Sequence, residues 1–205
     1  MEYWNNGKTI KVCKPNIPLF HRSIIPGLSL EWTFLLADVL VDLIPEMVQQ
    51  TCHGHGRPGC EFKTCLPGGA STLYLPKKYY DVEMDFDSVK KVGNRLGTGA
   101  IIVFDQKTCL VAATLNLIEF FVRESCGWCT PCREALPFIR DLLCRIEAGE
   151  GKEYFIPMLQ RMSQHTWKSY CAFAPGATMP VTSLLDHFLE EVHEHISQKK
   201  CPYRG

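Results

Sequence analysis

Several things are missing from this chain, and each absence excludes something. Net charge is the first: 22 Lys and Arg balance 22 Asp and Glu over 205 residues. A partner gripped through a strongly basic face, such as nucleic acid, is thereby disfavoured. Long apolar runs are also lacking. The most apolar stretch, Leu28 to Ile44, is interrupted by Glu31, Asp38 and Asp42, so it is too short and too charged to span a bilayer. The opening Met1-Glu2-Tyr3-Trp4 has neither the basic region nor the apolar core of an export signal. Its thiols are accordingly expected in a reducing compartment, where cysteine serves metal more than crosslinks. Phosphate loops are absent as well: PGG and GTG occur without a full GxGxxG or GxxxxGK[ST] pattern.

Cysteine, by contrast, is plentiful, with 11 residues. Three stand in ESCGWCTPCRE, Glu124 to Glu134, as Cys126, Cys129 and Cys132. Two-residue spacing lets successive sulfurs turn toward one small object. Such a triplet suits the corners of an iron–sulfur cube, whose irons each need one protein ligand. Structural zinc more often takes two separated Cys pairs, and thiols without metal are the third reading.

Along the chain, KTIKVCK (Lys8 to Lys14) alternates like a short strand, and Pro15, Pro18 and Pro26 then prevent regular structure nearby. Ser29 to Gln50 has helical periodicity with Ser29 as N-cap, and Pro45 kinks or ends it. Cys52, His53, His55 and Cys60 lie in CHGHGRPGC, whose poor spacing favours a flexible loop over a zinc site. Phe62 to Leu75 reads as strand, Gly68-Gly69 bend, strand, with Cys65 in the first strand. DFDSVKKVG is a short capped helix and GAIIVFD (Gly99 to Asp105) a buried strand. Strands mixed with short helices indicate a small α+β unit.

After Asp105 the period becomes helical. Cys109 to Arg123 is an apolar helix leading to the triplet. A second helix begins at Pro131, bends at Pro137 and closes at Gly149. Tyr154 to Thr166 is a third, and Pro180 opens a fourth running to about Ser197. Short connections make this an up-down bundle. In that topology the third helix climbs back to the triplet, and the loop YCAFAPGATMP delivers Cys171 as a fourth ligand. Cys144 is twelve residues from Cys132, roughly 18 Å along a helix, and cannot join the same cube. Cys109, at the far end of the first helix, also fails, and both read as small buried hydrophobes. Cys201 lies in a tail. Arg123 and Arg133 either tune the site by their charge or pair with Glu124 and Glu134. His187, His193 and His195, amid Glu190, Glu191 and Glu194, read as a solvated helix face. No nucleophilic or acid–base constellation emerges.

With those residues in view, the chain resembles the C-terminal half of the NADH-oxidising flavoprotein subunit of respiratory complex I, called the F subunit in bacteria. ESCGWCTPCRE, LPGGAST, MDFDSVKKVGNRLGTGAIIVFD, NLIEFFVRES and CAFAPGA carry the resemblance, each in the family's order, between about Glu61 and Ile196. It implies an α+β architecture: a ubiquitin-like β-grasp (SLBB) unit over 61–106, a four-helix bundle over 107–198 and a tail over 199–205, with 1–60 poorly matched. It also implies that Cys126, Cys129, Cys132 and Cys171 hold a [4Fe–4S] cluster taking single electrons from reduced FMN. The expected partners are a flavin-binding half or subunit, a thin subunit with a [2Fe–2S] centre and a large iron–sulfur subunit. The expected place is the cytoplasmic face of the bacterial inner membrane. FMN and NAD(H) sites of that family match no residue here, so the isolated chain is expected to be inactive toward NADH. NAD-linked hydrogenases and formate dehydrogenases share these motifs and supply the alternative enzyme. A zinc-stapled assembly module is the alternative of another class.

Overall fold

The computed structural model describes residues 62–79 and 81–203, together with the short strands β1 (Tyr3–Asn5) and β2 (Lys8–Ile10). Those two strands pair antiparallel, Tyr3 opposite Ile10. The expectations for the Ser29–Gln50 helix and for Cys52, His53, His55 and Cys60 lie outside the described residues.

A small antiparallel sheet has the order β4-β3-β5. Strand β3 (Phe62–Leu66) is central, flanked by β4 (Leu75–Pro76) and β5 (Ile102–Asp105). Cys65 faces Leu75 on one side and Val103 on the other. All five residues of β3 are buried, whereas β5 buries only Phe104 fully and is thus more exposed than its apolar sequence suggests. Helix α1 (Phe86–Lys91) starts where Asp85 accepts bonds from the amides of Asp87 and Ser88. It covers Cys65, Leu75 and Met84 with Val89.

The helical part continues as α2 (Leu110–Glu124), α3 (Leu136–Glu147), α4 (Phe155–Thr166), α5 (Phe173–His187) and α6 (Leu189–Gln198). Leu115, Ile118, Ile139, Leu143, Leu159, Val181, Leu184 and Val192 meet in its core. Leu66, Tyr74 and Phe104 from the sheet side belong to that same cluster. The Tyr74 hydroxyl lies 2.9 Å from that of Thr114, and its backbone N–H donates to Ser183 Oγ at 2.9 Å. Sheet and helices therefore share one interior.

Proline shapes two stretches of the helical part. Pro131–Ala135 forms a wide π turn, in which the Leu136 N–H reaches back five residues to the Pro131 carbonyl. This turn ends just before Pro137, so the expected bend is taken up before α3 begins. Pro180 does not open the fourth long helix: α5 already starts at Phe173 and carries Pro180 inside it. Proline disfavours a helix interior by about 3 kcal/mol, but buried Ala174, Ala177, Val181 and Leu184 line one face across it. The helix then breaks at Phe188, φ −133°, and resumes as α6.

Gly149 closes α3 with φ +79°. A Cβ there would stand 2.0 Å from the Lys199 carbonyl oxygen, so only glycine permits the C-terminal turn to lie against this corner. Cys201, in the C-terminal tail, is buried and belongs to the core cluster.

Candidate metal centre

Helix α2 delivers the chain to the cysteine triplet at its C-terminal end. Gly127, φ +66°, supplies the left-handed turn after Cys126. Cys129 comes next on the loop and Cys132 sits within the π turn. Cys132 is buried with Phe121, Leu136, Ala174 and Ala177, an apolar floor to which Phe173 adds an edge contact with Phe121 at 5.5 Å. Cys126 and Cys171 are exposed and Cys129 half-buried.

The segment between α4 and α5 folds over this floor. The Cys129 pKa is lowered, first by the backbone N–H of Tyr170 and then by that of Cys132. Ser169 Oγ donates to the Cys171 carbonyl at 2.7 Å and steadies the turn. The Cys132 pKa is pushed up to about 11, first by burial, then by the neighbouring sulfurs of Cys129, Cys171 and Cys126. The structure thus brings the three loop cysteines and Cys171 into one neighbourhood. Cys144 lies instead on α3, packed at the side of the main core.

The arginines have the plainer of their two expected roles. Arg123 Nε contacts Glu124 at 3.0 Å, and Arg133 Nε contacts Glu134 at 3.3 Å, all four side chains exposed. Such pairs contribute little stability. Next to the cysteines lies a groove of ≈ 1080 Å³ lined by Trp128, Cys129, Phe138, Met158, His165 and Tyr170, among others. Trp128 is 79% and Tyr170 83% exposed.

A second constellation was not legible in the motifs. Cys109, Glu147, His195 and Cys201, all buried, place one ligand atom each within 4.8 Å of the others. His195 is fully buried and Glu191 only 5% exposed, which corrects the solvated-face reading for these two residues. Residues 191, 192 and 195 recur at helical spacing, so α6 turns them inward. Its other histidine, His193, stays half exposed beside Glu153.

Residues 112–195 match the model of the NADH-ubiquinone oxidoreductase-F iron-sulfur binding region. The helical part of this chain is similar to that iron–sulfur family. Relatives among the F subunits of NADH-quinone oxidoreductase agree. One of those of Rhizobium meliloti is 39% identical over 77% of this chain and 38% of its own length. The F subunit of Escherichia coli is 42% identical over 71% and 33%, and that of Streptomyces coelicolor 41% over 73% and 34%. The chain therefore spans little more than a third of these relatives. Among solved structures, an NAD+-reducing [NiFe]-hydrogenase in its H2-reduced state is similar with a TM-score of 0.59 and 26% identity. That match covers 71% of this chain and 24% of the hydrogenase chain.

The donor set fits the cluster that this family implies. Thiolates are the ligands such cubes take, and amides already aimed at the Cys129 sulfur favour its deprotonated form. A cube also holds its thiolates farther apart than a single ion does. Among the described residues, the four ligand atoms that lie within single-ion range of one another belong to the other constellation.

Proposed function

We propose that Cys126, Cys129, Cys132 and Cys171 hold a [4Fe–4S] cluster through which this chain relays single electrons within an NADH-oxidising assembly. What supports the reading is that Cys129 and Cys132 pack in one cluster with Phe173, Ala174 and Ala177, the start of α5 just after Cys171. A bound cluster supplies one-electron redox chemistry. The chain's own residues place the thiolates, bury one corner at Cys132 and leave the Cys126 corner toward solvent. The Tyr170 and Cys132 amides stabilise negative charge on the Cys129 sulfur.

Electrons would come from reduced FMN held on another segment or partner and pass to further iron–sulfur centres, then to quinone. A thin [2Fe–2S] subunit and a large iron–sulfur subunit are the proposed neighbours, and the exposed groove at Trp128 and Tyr170 offers them a face beside the cluster. The architecture proposed is a β-grasp unit over 61–106 joined to a bundle over 107–198, peripheral on the cytoplasmic face of the membrane. Among the described residues no helix is long and apolar enough to cross a bilayer.

The chain reconstituted with iron and sulfide should give a cluster EPR signal after reduction and no NADH oxidation. Appreciable NADH oxidation by the chain alone would defeat this division of labour. Cys171→Ala should remove the brown absorbance of the intact cube, and Cys144→Ala should retain it. A reversed pattern would move the fourth ligand to α3. The similarity to an NAD+-reducing hydrogenase sustains a second reading, the equivalent subunit of an NAD-linked hydrogenase. Copurification with either complex I subunits or a nickel–iron subunit separates the two.

A further inference from the structure

We propose that Cys109, Glu147, His195 and Cys201 form a second, mononuclear metal site that takes a zinc ion. The four come from different places: the N-cap of α2, the last residue of α3, the inner face of α6 and the C-terminal turn. Cys109 Sγ lies 3.2 Å from His195 Nε2 and 3.4 Å from Glu147 Oε2, and Nε2 lies 3.3 Å from that same oxygen. A tetrahedral zinc with bonds of about 2.0–2.3 Å sets its donors about 3.3–3.8 Å apart. The observed separations are close to the edges of that tetrahedron. Two thiolates, an imidazole and a carboxylate are donors that zinc accepts, and four protein ligands make a closed, structural site.

The surroundings are those of ligands prepared for a metal. His195 Nδ1 lies 2.7 Å from the Glu191 carbonyl oxygen, so it donates there, and Nε2 faces the other three, ready to bind a cation once any proton it carries has left. The Ala112 amide donates to Cys109 Sγ at 3.3 Å, and the Tyr203 backbone N–H acts to lower the Cys201 pKa. Amides aimed at sulfur stabilise thiolate. Without a cation, burial first and then Glu147 push the Cys109 thiol up, and burial raises Cys201. Entry of zinc would release the two thiol protons, and no electron changes hands.

Thiol catalysis is the competing use of a Cys109–His195 pair. His195 has no exposed surface, so a substrate has no approach. Position also separates this site from the cysteine triplet. They occupy opposite ends of the 15-residue helix α2, about 22 Å apart at 1.5 Å per residue. Zinc here would tie the C-terminal turn to the base of the bundle while the redox site works at the top.

The test is metal analysis of the full chain, reconstituted anaerobically with iron and sulfide in micromolar zinc. The expected result is one zinc per chain beside the cluster irons. Cys201→Ser and His195→Gln should each weaken zinc retention against a chelator by at least about 100-fold, the upper end for loss of an outer-shell partner, while the brown cluster absorbance persists. Should those variants not fold, cobalt replacing zinc in the unsubstituted chain should show tetrahedral bands with two-thiolate charge transfer. Three results would overturn the site: no zinc above the buffer blank, zinc lost on Cys129→Ser but kept in Cys201→Ser, or a Cys109–Cys201 disulfide in the anaerobic protein.

Discussion

Glu191 shows how much one carboxylate can organise. Its Oε2 pairs with Lys63 at 2.6 Å and its Oε1 accepts the Leu110 amide at 2.6 Å, both in the interior. The carboxylate thus meets the positive end of α2, a favourable placement. Lys63 Nζ also donates to the Thr108 carbonyl at 2.8 Å. Replacing Glu191 by Leu should destabilise the protein by about 3–5 kcal/mol, because the ammonium is left buried without its counter-ion. Urea denaturation measures it, and the double variant Lys63→Met, Glu191→Leu should recover much of the loss. At this scale the sequence was only partly legible. Cys126, Cys129, Cys132 and Cys171 could be singled out because their spacing and loop positions restrict them. Glu191 and His195 could not, since charged residues on an amphipathic helix look solvated until its neighbours are known. Cys109 and Cys201 offered a faint signal, as cysteines that the cluster left unexplained.

Helix α1 is short enough that its cap matters. Hydrogen bonds from Ser88, first its hydroxyl and then its amide, together with the Asp87 amide, hold the Asp85 carboxyl below its ordinary value of 3.8. A depressed folded-state value means the stabilisation is fully present above the ordinary value. It is lost as pH falls through the lower, folded one. Amide NMR shifts of Ser88 and Val89 should therefore report fraying of α1 in acid, and Asp85→Asn, which still caps, should flatten that dependence. The existence of α1 through α4 was readable from caps and periodicity. The π turn at Pro131–Ala135 was not, because two nearby prolines announce a disturbance without saying which geometry absorbs it. Nor was the early start of α5, where burial outweighs the local preference at Pro180.

On the scale of the molecule, the common interior of sheet and helices decides how it unfolds. Leu66, Tyr74 and Phe104 pack with Leu115, Val181 and Leu184, so residues 62–203 should lose structure in one transition. Far-ultraviolet dichroism and hydrogen exchange of β3 should give coincident midpoints, and separated midpoints would show two independent units. The sequence indicated a sheet unit and a bundle. It could not show that they merge, since apolar residues do not declare which partners they will bury against.

The exposure of Trp128 has a practical consequence. Its indole stands one residue before Cys129, and Trp167 caps the end of α4 four residues before Cys171, both at the surface. A chromophore assembled on those cysteines would accept their excitation energy, so the chain carries its own optical gauge. Intrinsic emission should dim as iron and sulfide are incorporated and brighten again when oxidation strips them away, without any label attached.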